Sequence, residues 1–375
     1  MVSGTVLRSH AGGYLVYNSD QDAVFQCAAR GRLKKERVSI VTGDRVELDE
    51  LDPEKGTAVI RTRLERQNLL SRPPLANVDQ VIIVQAIHQP EWSPLLVDRY
   101  IVHFQLELPG ELPIVCFNKC DLADDEEITS LRSIYEPLGY SVMIVSTMAG
   151  IGMREFGAML AGKVSVLTGP SGVGKSSILN YLEPSLRLRV GVMENEFGVG
   201  RHTTTYSKLY NIHVKQDDEH SKVAGWVADT PGFNILELSH PEPHDVVFQF
   251  PEILELAHEC RFNDCLHQVE VGCNVQENIA KIPEVRYASY CALVAEAQNE
   301  QRLRKSSSTK VEAAVKVVGG VGKGTHIPRL SGKYRATSRR SERQRAHDTH
   351  EEDDEESGVD LEDHTQTAGA EEDSE

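Results

Sequence analysis

The chain has 375 residues and a formal net charge of -17 at pH 7, and this length allows two to three domains with real cores. Its acidity is concentrated at one end, because residues 348–375 contain fourteen acidic side chains and no lysine or arginine, leaving -3 for the rest. No stretch is apolar enough to span a membrane and no signal or transit segment precedes the first strand pattern, so we expect a cytoplasmic protein without membrane contact.

Residues 1–72 contain five short β-rich runs separated by turn residues: 5–7, 14–17, 23–28, 45–48 and 57–62. Strands at this spacing predict a small closed barrel, most economically an OB-fold, followed by a linker. An SH3-like barrel with a solvated charged face is the alternative. The basic side chains that could lie against a phosphate backbone are Lys34, Lys35, Arg37, Arg61, Arg63, Arg66 and Arg72.

A polar tetrapeptide follows the apolar run 112–117, where a buried strand would end; its residues are Asn118, Lys119, Cys120 and Asp121. Ligands collect at that edge of open α/β sheets. A carboxylate there can accept hydrogen bonds from N1–H and the exocyclic amine of guanine, whereas adenine offers no such donor pair. Alone, the tetrapeptide also fits an ordinary turn with an aspartate cap. Ser146, after the run 142–145, is a candidate for backbone contacts to guanine, with a plain polar turn as the alternative.

A phosphate-binding loop pattern, Gly-x-x-x-x-Gly-Lys-Ser, lies between an apolar run at 163–168 and a helical pattern at 177–182. The loop residues and the next serine are Gly169, Pro170, Ser171, Gly172, Val173, Gly174, Lys175, Ser176 and Ser177. In such a loop, glycines let backbone N–H groups surround phosphates, the lysine adds a charge and the serine hydroxyl binds magnesium. The strand, loop and helix context predicts a nucleoside triphosphate site rather than a glycine turn without ligand.

Two further segments complete a predicted guanine nucleotide site. Asp229 ends the strand pattern 226–229 and can hold Mg²⁺ through water, while the N–H of Gly232 can meet the γ-phosphate. Residues 200–205, Gly-Arg-His-Thr-Thr-Thr, precede an alternating stretch and predict a mobile loop. We assign the Thr204 hydroxyl, with Ser176, to the magnesium shell, and Thr203 is the next choice.

The order of these segments is unusual, because the base-recognition motif precedes the phosphate loop although guanine nucleotide switches usually carry it afterwards. We therefore predict a circularly permuted GTPase domain over residues 73–240, with a mostly parallel sheet and flanking helices. Circular permutation costs little when the natural termini lie close together at the surface. It also joins the second switch region directly to the C-terminal part of the chain, which could then sense the nucleotide state.

A compact set of metal ligands follows this region. Cys260, Cys265, His267 and Cys273 lie within fourteen residues and supply three thiolates and an imidazole, enough for a closed tetrahedral zinc shell. Such a site is structural, so we expect one Zn²⁺ per chain. The alternatives are small core cysteines and His258 as a substitute ligand. Scattered further cysteines beside a zinc site are typical of a reducing cytosol.

The C-terminal segment 301–375 has a different composition. Between residues 302 and 345, thirteen lysines and arginines accompany two glutamates and little apolar periodicity, and the acidic end follows. We expect this segment to be disordered until its basic part meets RNA. A solvated linker is the alternative.

The ordered set of motifs resembles one family, the circularly permuted ribosome small-subunit-dependent GTPases, RsgA (also called YjeQ), over roughly residues 1–300. The resemblance rests on the residues 66–72 (Arg-Gln-Asn-Leu-Leu-Ser-Arg), on 229–233 (Asp-Thr-Pro-Gly-Phe), and on the motifs described above. It implies a helical zinc-binding domain over 241–300 after the OB-fold and the permuted GTPase domain. It further implies a GTPase in late maturation of the small (30S) ribosomal subunit, stimulated by that subunit, with GTP/GDP, magnesium and 16S rRNA as ligands; we expect a monomer.

Phe233 shapes the expected mechanism. It follows Asp-x-x-Gly, where Ras-like enzymes place the glutamine that orients the attacking water, and phenylalanine cannot do this. We therefore expect slow intrinsic hydrolysis, with the missing group supplied by the ribosome or by a nearby side chain. His202 is the internal candidate for catalysis, and a histidine that only positions the loop or touches RNA is the alternative.

Two function classes follow. The first is an active GTPase whose hydrolysis times its departure from the maturing subunit, and the second is an RNA-binding assembly platform that uses GTP as a structural ligand. The residues Lys175, Ser176, Thr204 and Asp229 favour turnover, since a platform needs no magnesium-linked switch. Asp121 argues against ATP specificity.

Overall fold

The computed structural model describes residues 2–10, 12–71, 74–188, 208–215, 222–229, 241–308, 315–318 and 325–328. The chain divides into two compact units, Met1–Arg304 and Lys305–Glu375. Within the described ranges, no helix combines the length and the apolarity that a membrane crossing requires.

The N-terminal part is a closed five-stranded barrel, as predicted. Its strands are β1 (Val2–His10), β2 (Gly13–Asn18), β3 (Ala23–Ala29), β4 (Arg45–Asp52) and β5 (Thr57–Arg63), and the short helix α1 (Gly31–Lys35) lies between β3 and β4. The strands pair in the order β1-β2-β3-β5-β4, and β4 returns to β1. Inward side chains such as Val6, Val16, Phe25, Val46 and Ile60 fill the interior, because alternate positions of each strand face the core. This pairing confirms the OB-fold.

A two-stranded hairpin, β6 (Leu69–Ser71) and β7 (Pro74–Ala76), links the barrel to the next domain. Arg66, which we expected to face a phosphate backbone, instead contacts the buried carboxylate of Asp44 with N–O distances of 2.6 and 2.9 Å. A buried carboxylate needs a charged partner, so Arg66 has a structural role inside the barrel region, which the sequence did not indicate.

The central domain is built on six further strands: β8 (Gln80–Ala86), β9 (Ile114–Asn118), β10 (Val142–Ile144), β11 (Val164–Thr168), β12 (Lys208–Lys215) and β13 (Lys222–Asp229). Four helices connect them: α2 (Pro94–Glu107), α3 (Asp125–Tyr135), α4 (Met153–Leu160) and α5 (Lys175–Leu182). Every residue of β8 and β11 is buried, as expected for parallel strands covered on both faces.

The spatial order of these strands is β10-β9-β8-β11-β13-β12, parallel except for the antiparallel strand β12. The chain leaves β8 towards β9 and β10 on one side, returns through α4, and leaves β11 towards β13 on the other side. Two apolar cores cover the two faces of the sheet. The sheet is therefore that of a GTPase with its chain starting at β8, which confirms the predicted circular permutation.

The barrel and the central sheet are continuous. Strand β1 pairs antiparallel with β12 at Arg8 and Lys208, giving one sheet of eleven strands. A register shift in the β1–β2 pairing leaves Leu7 as the extra residue of a bulge. Val6 packs inside the barrel while the next residue, Leu7, packs in the core of the central domain, because successive side chains of a strand point to opposite faces. The bulge turns Arg8 outward, whereas a regular strand would place it on the inner face with Val6.

The C-terminal part of the first unit is helical, as expected. Its helices are α6 (Pro243–Val247), α7 (Pro251–Ala257), α8 (Asn274–Glu277) and α9 (Glu284–Ser308), and single 3-10 turns elsewhere span Cys120–Leu122, Glu136–Leu138, Pro184–Leu186 and Ile279–Lys281. The core of this part includes Val246, Phe250, Val275, Tyr290 and Leu293.

A buried ion cluster joins this helical part to α2. The Arg286 guanidinium contacts Asp98 of α2 at 2.5 Å and Glu252 of α7 at 2.7 Å, and it lies 4.4 Å from the centre of the Phe250 ring. Arg286 and Asp98 are fully buried. Burial raises the pKa of the Asp98 carboxyl although the neighbouring guanidinium opposes that rise.

In the second unit the structure describes an antiparallel hairpin of β14 (Val315–Val318) and β15 (Thr325–Pro328). We expected no regular structure between residues 302 and 345, whereas α9 continues to Ser308 and this hairpin follows. β-branched residues, three valines in β14 and an isoleucine in β15, favour strands although the segment lacks a longer apolar period.

Candidate nucleotide site and metal centre

The phosphate loop lies at the switch point of the sheet. β8 and β11 are neighbours, and the chain leaves them in opposite directions. Ligands bind outside the carboxyl ends of strands at such a point. The sheet therefore brings Asn118, which ends β9, and Thr168, which ends β11, to the same edge.

Two loop glycines are required by close packing. Gly169 has a φ of 137°, and a Cβ placed there would lie 2.0 Å from the carbonyl oxygen of Val84. Gly174 has a φ of 100°, and a Cβ there would lie 2.2 Å from the side-chain nitrogen of Asn118. Any other residue would push the loop away from β8 and β9, so these glycines set where phosphates can bind.

The loop opens helix α5 at Lys175. The Lys175 ammonium donates to the carbonyl oxygens of Gly169 and Pro170, both at 2.7 Å, and so stays at the mouth of the loop. Ser176 and Ser177 stand in the first turn of α5 and are half-buried. Free N–H groups and the helix dipole favour an anion there.

The side chains of Asn118 and Lys119 donate hydrogen bonds to carbonyl oxygens of the phosphate loop, a role that the sequence analysis missed. The Asn118 side-chain amide donates to the Val173 carbonyl at 2.8 Å. The Lys119 ammonium donates to the carbonyl oxygens of Gly172, at 3.0 Å, and Gln89. Partial burial lowers the pKa of Lys119, while Asp121 acts in the opposite direction. The motif predicted to recognise the base therefore also contacts the phosphate loop directly.

Asp121 is exposed at the site, and Ser146 orients it. The buried Ser146 hydroxyl donates to the Asp121 carboxylate and accepts the N–H of Ala149 at 3.0 Å. The Cys120 thiol packs into the core, and burial raises its pKa. Asp121 is thus held in one orientation while its second oxygen can accept hydrogen bonds from a base.

The loop after β8 forms a further wall that sequence reasoning missed. Gln89, with a φ of 55°, supplies the carbonyl that holds Lys119, and the Pro90 ring lies 3.8 Å from where a Cβ of Gly172 would be. His88 contacts Glu91 and Glu127, and these hydrogen bonds raise the pKa of His88. In the sequence, Gln89-Pro90 indicates a turn, but the neighbouring residues do not indicate that this turn contacts the phosphate loop.

The switch residues are only partly described. Asp229 is the last residue of β13 and pairs in register with Leu167 of β11, beside the start of the phosphate loop. His202, Thr204, Gly232 and Phe233 lie outside the described residues, as do Thr203 and Arg72. Their predicted roles stay predictions.

The predicted metal ligands converge. The ligand atoms of Cys260, Cys265, His267 and Cys273 all lie within 4.8 Å of one another, and Nδ1 of His267 is 3.5 Å from the Cys260 sulfur and 3.6 Å from the Cys273 sulfur. His258 is not among them. Burial raises the pKa of the Cys265 thiol to about 12, which makes the thiolate unfavourable without a metal. A bound cation offsets this effect because coordinated thiols deprotonate. This donor set fits a closed four-coordinate metal site.

Helix α9 and a carboxylate shape the metal loop. The Glu270 carboxylate accepts the backbone N–H groups of Leu266, Gln268 and Val269 at 2.8 to 3.0 Å. The Tyr287 hydroxyl of α9 donates to the His267 carbonyl at 2.8 Å. Such supporting contacts orient ligands before a metal binds.

These features define a circularly permuted phosphate-loop GTPase flanked by an OB-fold barrel and a helical Cys/His domain. A family model for the RsgA GTPase matches residues 63–239, and one for the RsgA N-terminal domain matches residues 3–58. The chain belongs to the RsgA family and is a GTP-hydrolysing enzyme.

Curated relatives match nearly their whole length. A protein of Caldanaerobacter subterraneus subsp. tengcongensis, named small ribosomal subunit biogenesis GTPase RsgA, is 36% identical over 305 residues, which cover 81% of this chain and 98% of that protein. The protein of the same name from Geobacillus kaustophilus is 38% identical over 301 residues, with 79% and 97% covered. The crystal structure of YjeQ from Thermotoga maritima is similar with a TM-score of 0.66 and 33% identity, covering 79% of this chain and 98% of that one.

Proposed function

We propose that this GTPase acts in late maturation of the small ribosomal subunit and that the subunit stimulates its hydrolysis. The observation that carries the proposal is the near-complete coverage, 97 to 98%, of relatives named for small-subunit biogenesis. A GTPase of this kind acts where subunits are assembled, so we place it in the cytoplasm, as a monomer bound to 16S rRNA.

Within the site, Asp121 would accept hydrogen bonds from guanine, with Ser146 holding its carboxylate. Backbone N–H groups of the loop and the Lys175 ammonium would bind the phosphates. Ser176 and Thr204 would hold Mg²⁺, with Asp229 acting through water, and the bound ion would neutralise charge on the phosphate oxygens. The Gly232 N–H would then contact the γ-phosphate.

Slow intrinsic turnover follows from Phe233, which cannot orient a water molecule. His202 is our candidate for that role, or for positioning the loop that carries it. Replacing His202 with alanine separates these, because a catalytic histidine is needed for stimulated turnover whereas a purely positioning one is dispensable once the subunit orders the loop.

Zn²⁺ in the Cys/His cluster would be structural, since four protein ligands leave no open position. Exposed basic residues of the barrel, among them Arg37 and Arg61, would approach the RNA backbone.

We propose domains at residues 1–72, 73–240 and 241–300, followed by the segment 301–375.

The decisive experiment compares GTP and ATP hydrolysis with and without purified small subunits. We expect GTP turnover alone to rise with subunits, and Lys175→Ala to abolish it because the phosphate-binding charge is lost. Absence of stimulation by small subunits would contradict the proposal while leaving the GTPase itself intact. Stimulation of binding without any turnover would instead support an assembly platform.

A further inference from the structure

The turn between β8 and α2, residues 87–92, is attached to the predicted base-recognition motif. The N–H of Ile87 donates to the Asn118 carbonyl at 3.0 Å, and the Lys119 ammonium donates to the Gln89 carbonyl. The two contacts involve adjacent residues of the motif. A shift of this turn therefore moves the Lys119 ammonium with it.

His88 connects the same turn to helix α3. Its Nδ1 lies 3.0 and 3.1 Å from the two carboxylate oxygens of Glu91, within the turn. Its Nε2 lies 3.3 and 3.4 Å from the two oxygens of Glu127, in the first turn of α3. The Glu127 carboxylate also accepts the N–H of Asp124, the residue that caps α3, at 3.1 Å. The imidazole thus joins the turn to the start of the helix that follows the motif.

The surroundings of His88 favour its charged form. The charged groups around it are mostly acidic: Glu91 on the turn, Asp124, Asp125, Glu126 and Glu127 at the start of α3, and the Lys119 ammonium on the motif side. In the part of the chain that the structure describes, no lysine or arginine pairs with Glu91 or Glu127. The hydrogen bonds to these two carboxylates raise the pKa of His88. An imidazolium donates from both nitrogens at once, which a neutral imidazole cannot do.

We propose that His88 is a positioning residue for the nucleotide, which in its charged form ties turn 87–92 to α3 and so holds Lys119 against the phosphate loop. Lys119 donates to the Gly172 carbonyl at 3.0 Å, and the Pro90 ring lies 3.8 Å from where a Cβ of the same glycine would be. With the turn tied down, these contacts exist before nucleotide arrives, so less free energy is lost in ordering the loop on binding. This inference rests on the nucleotide site of the proposed function.

Nucleotide affinity should therefore fall as the pH rises. Below the raised pKa of His88 the imidazolium donates to both carboxylates, and as the pH rises through that pKa one of the two contacts loses its donor. Partly exposed ion pairs contribute little, so we expect the Kd and KM to increase about two- to fivefold. The kcat should stay unchanged, because the tether acts equally on the bound ground state and on the transition state.

The test measures binding of the fluorescent nucleotide mant-GDP and steady-state GTP hydrolysis by the full chain without ribosomes, from about pH 6 to about pH 8.5. His88→Arg keeps its charge throughout and should retain at every pH the affinity that the wild type shows at low pH. His88→Gln carries no charge and should show the weaker affinity at every pH. Titration of the nucleotide phosphates affects all variants alike, so the pH profile of the wild type should differ from both.

His213→Gln is the matched control, because His213 of β12 also pairs with a carboxylate, that of Glu183 at 3.1 Å. Glu183 caps the C-terminal end of α5, away from the phosphate loop at the start of that helix. This variant should keep the wild-type profile. The same pH profile in the wild type and in His88→Gln would overturn the inference and leave the proposed function standing, as would a lower kcat with an unchanged Kd. A wild type that binds no mant-GDP would remove both.

Discussion

The two junctions of the GTPase domain differ in burial and in charge pairing. On the helical side, Arg286 is fully buried between two carboxylates, one on α2 and one on α7. On the barrel side, Arg8 and Lys208 meet as exposed like charges across a single register pair. The first junction tolerates no separation of its charges, whereas the second is packed by Leu7 and by the edge-to-face contact of Tyr17 with Trp226, whose ring centres lie 4.9 Å apart.

The difference between the junctions affects how each flanking domain could respond to the bound nucleotide. We expected the chain to connect the second switch region directly to the C-terminal domain, and the structure adds a rigid attachment at α2. Helix α2 begins after the loop that holds Lys119. The helical domain is thus attached next to the predicted base side of the site, while the barrel contacts β12, the strand that follows the predicted switch loop in the sequence.

Removal of the metal should have the largest effect, and only on the helical side. Structural zinc sites contribute on the order of 10 kcal/mol of binding free energy, so chelation or Cys265→Ser should unfold the metal loop and weaken the packing around Arg286. Amide exchange should rise across residues 251–297 and stay unchanged in β1–β5. Cys291→Ser, at a half-buried cysteine outside the cluster, is the control, and equal damage from it would argue against a metal site.

Arg286→Ala should cost about 3 to 5 kcal/mol, because it leaves two buried carboxylates without their partner. Arg99→Ala on the same helix interface removes the partly exposed pair with Glu296 and should cost at most about 1 kcal/mol. Urea unfolding monitored in the helical domain measures both. Equal losses would show that burial does not distinguish the two ion pairs.

A smaller effect is expected at the barrel junction. Leu7→Ala should cost about 2 to 3 kcal/mol, as should Leu33→Ala, which removes a comparably buried leucine from the barrel interior. Only Leu7→Ala should increase amide exchange in β12, since Leu7 packs in the core of the central domain. If both variants exposed β12 equally, the barrel and the GTPase sheet would behave as one cooperative unit, not as two domains joined by a bulge.

Local patterns in the sequence were sufficient for much of this molecule. The alternation in 45–48 and 57–62, the apolar run before Asn118 and the glycines of the phosphate loop each report a strand or turn through their immediate neighbours. The metal ligands were equally predictable from the sequence, because His267 and the three cysteines lie within fourteen residues. The short span of that cluster makes convergence almost independent of the rest of the fold.

The order of the motifs, and hence the permuted GTPase domain, was determined by the sequence alone, because order is a property of the chain. Contacts across long separations were decided only by the tertiary structure. Asn118 holds Val173 across 55 residues, Arg286 meets Asp98 across 188, and Arg66 meets Asp44 across 22. Each of these contacts depends on which strands and helices become neighbours. The charge or polarity of a single residue does not indicate which distant residue will pack against it.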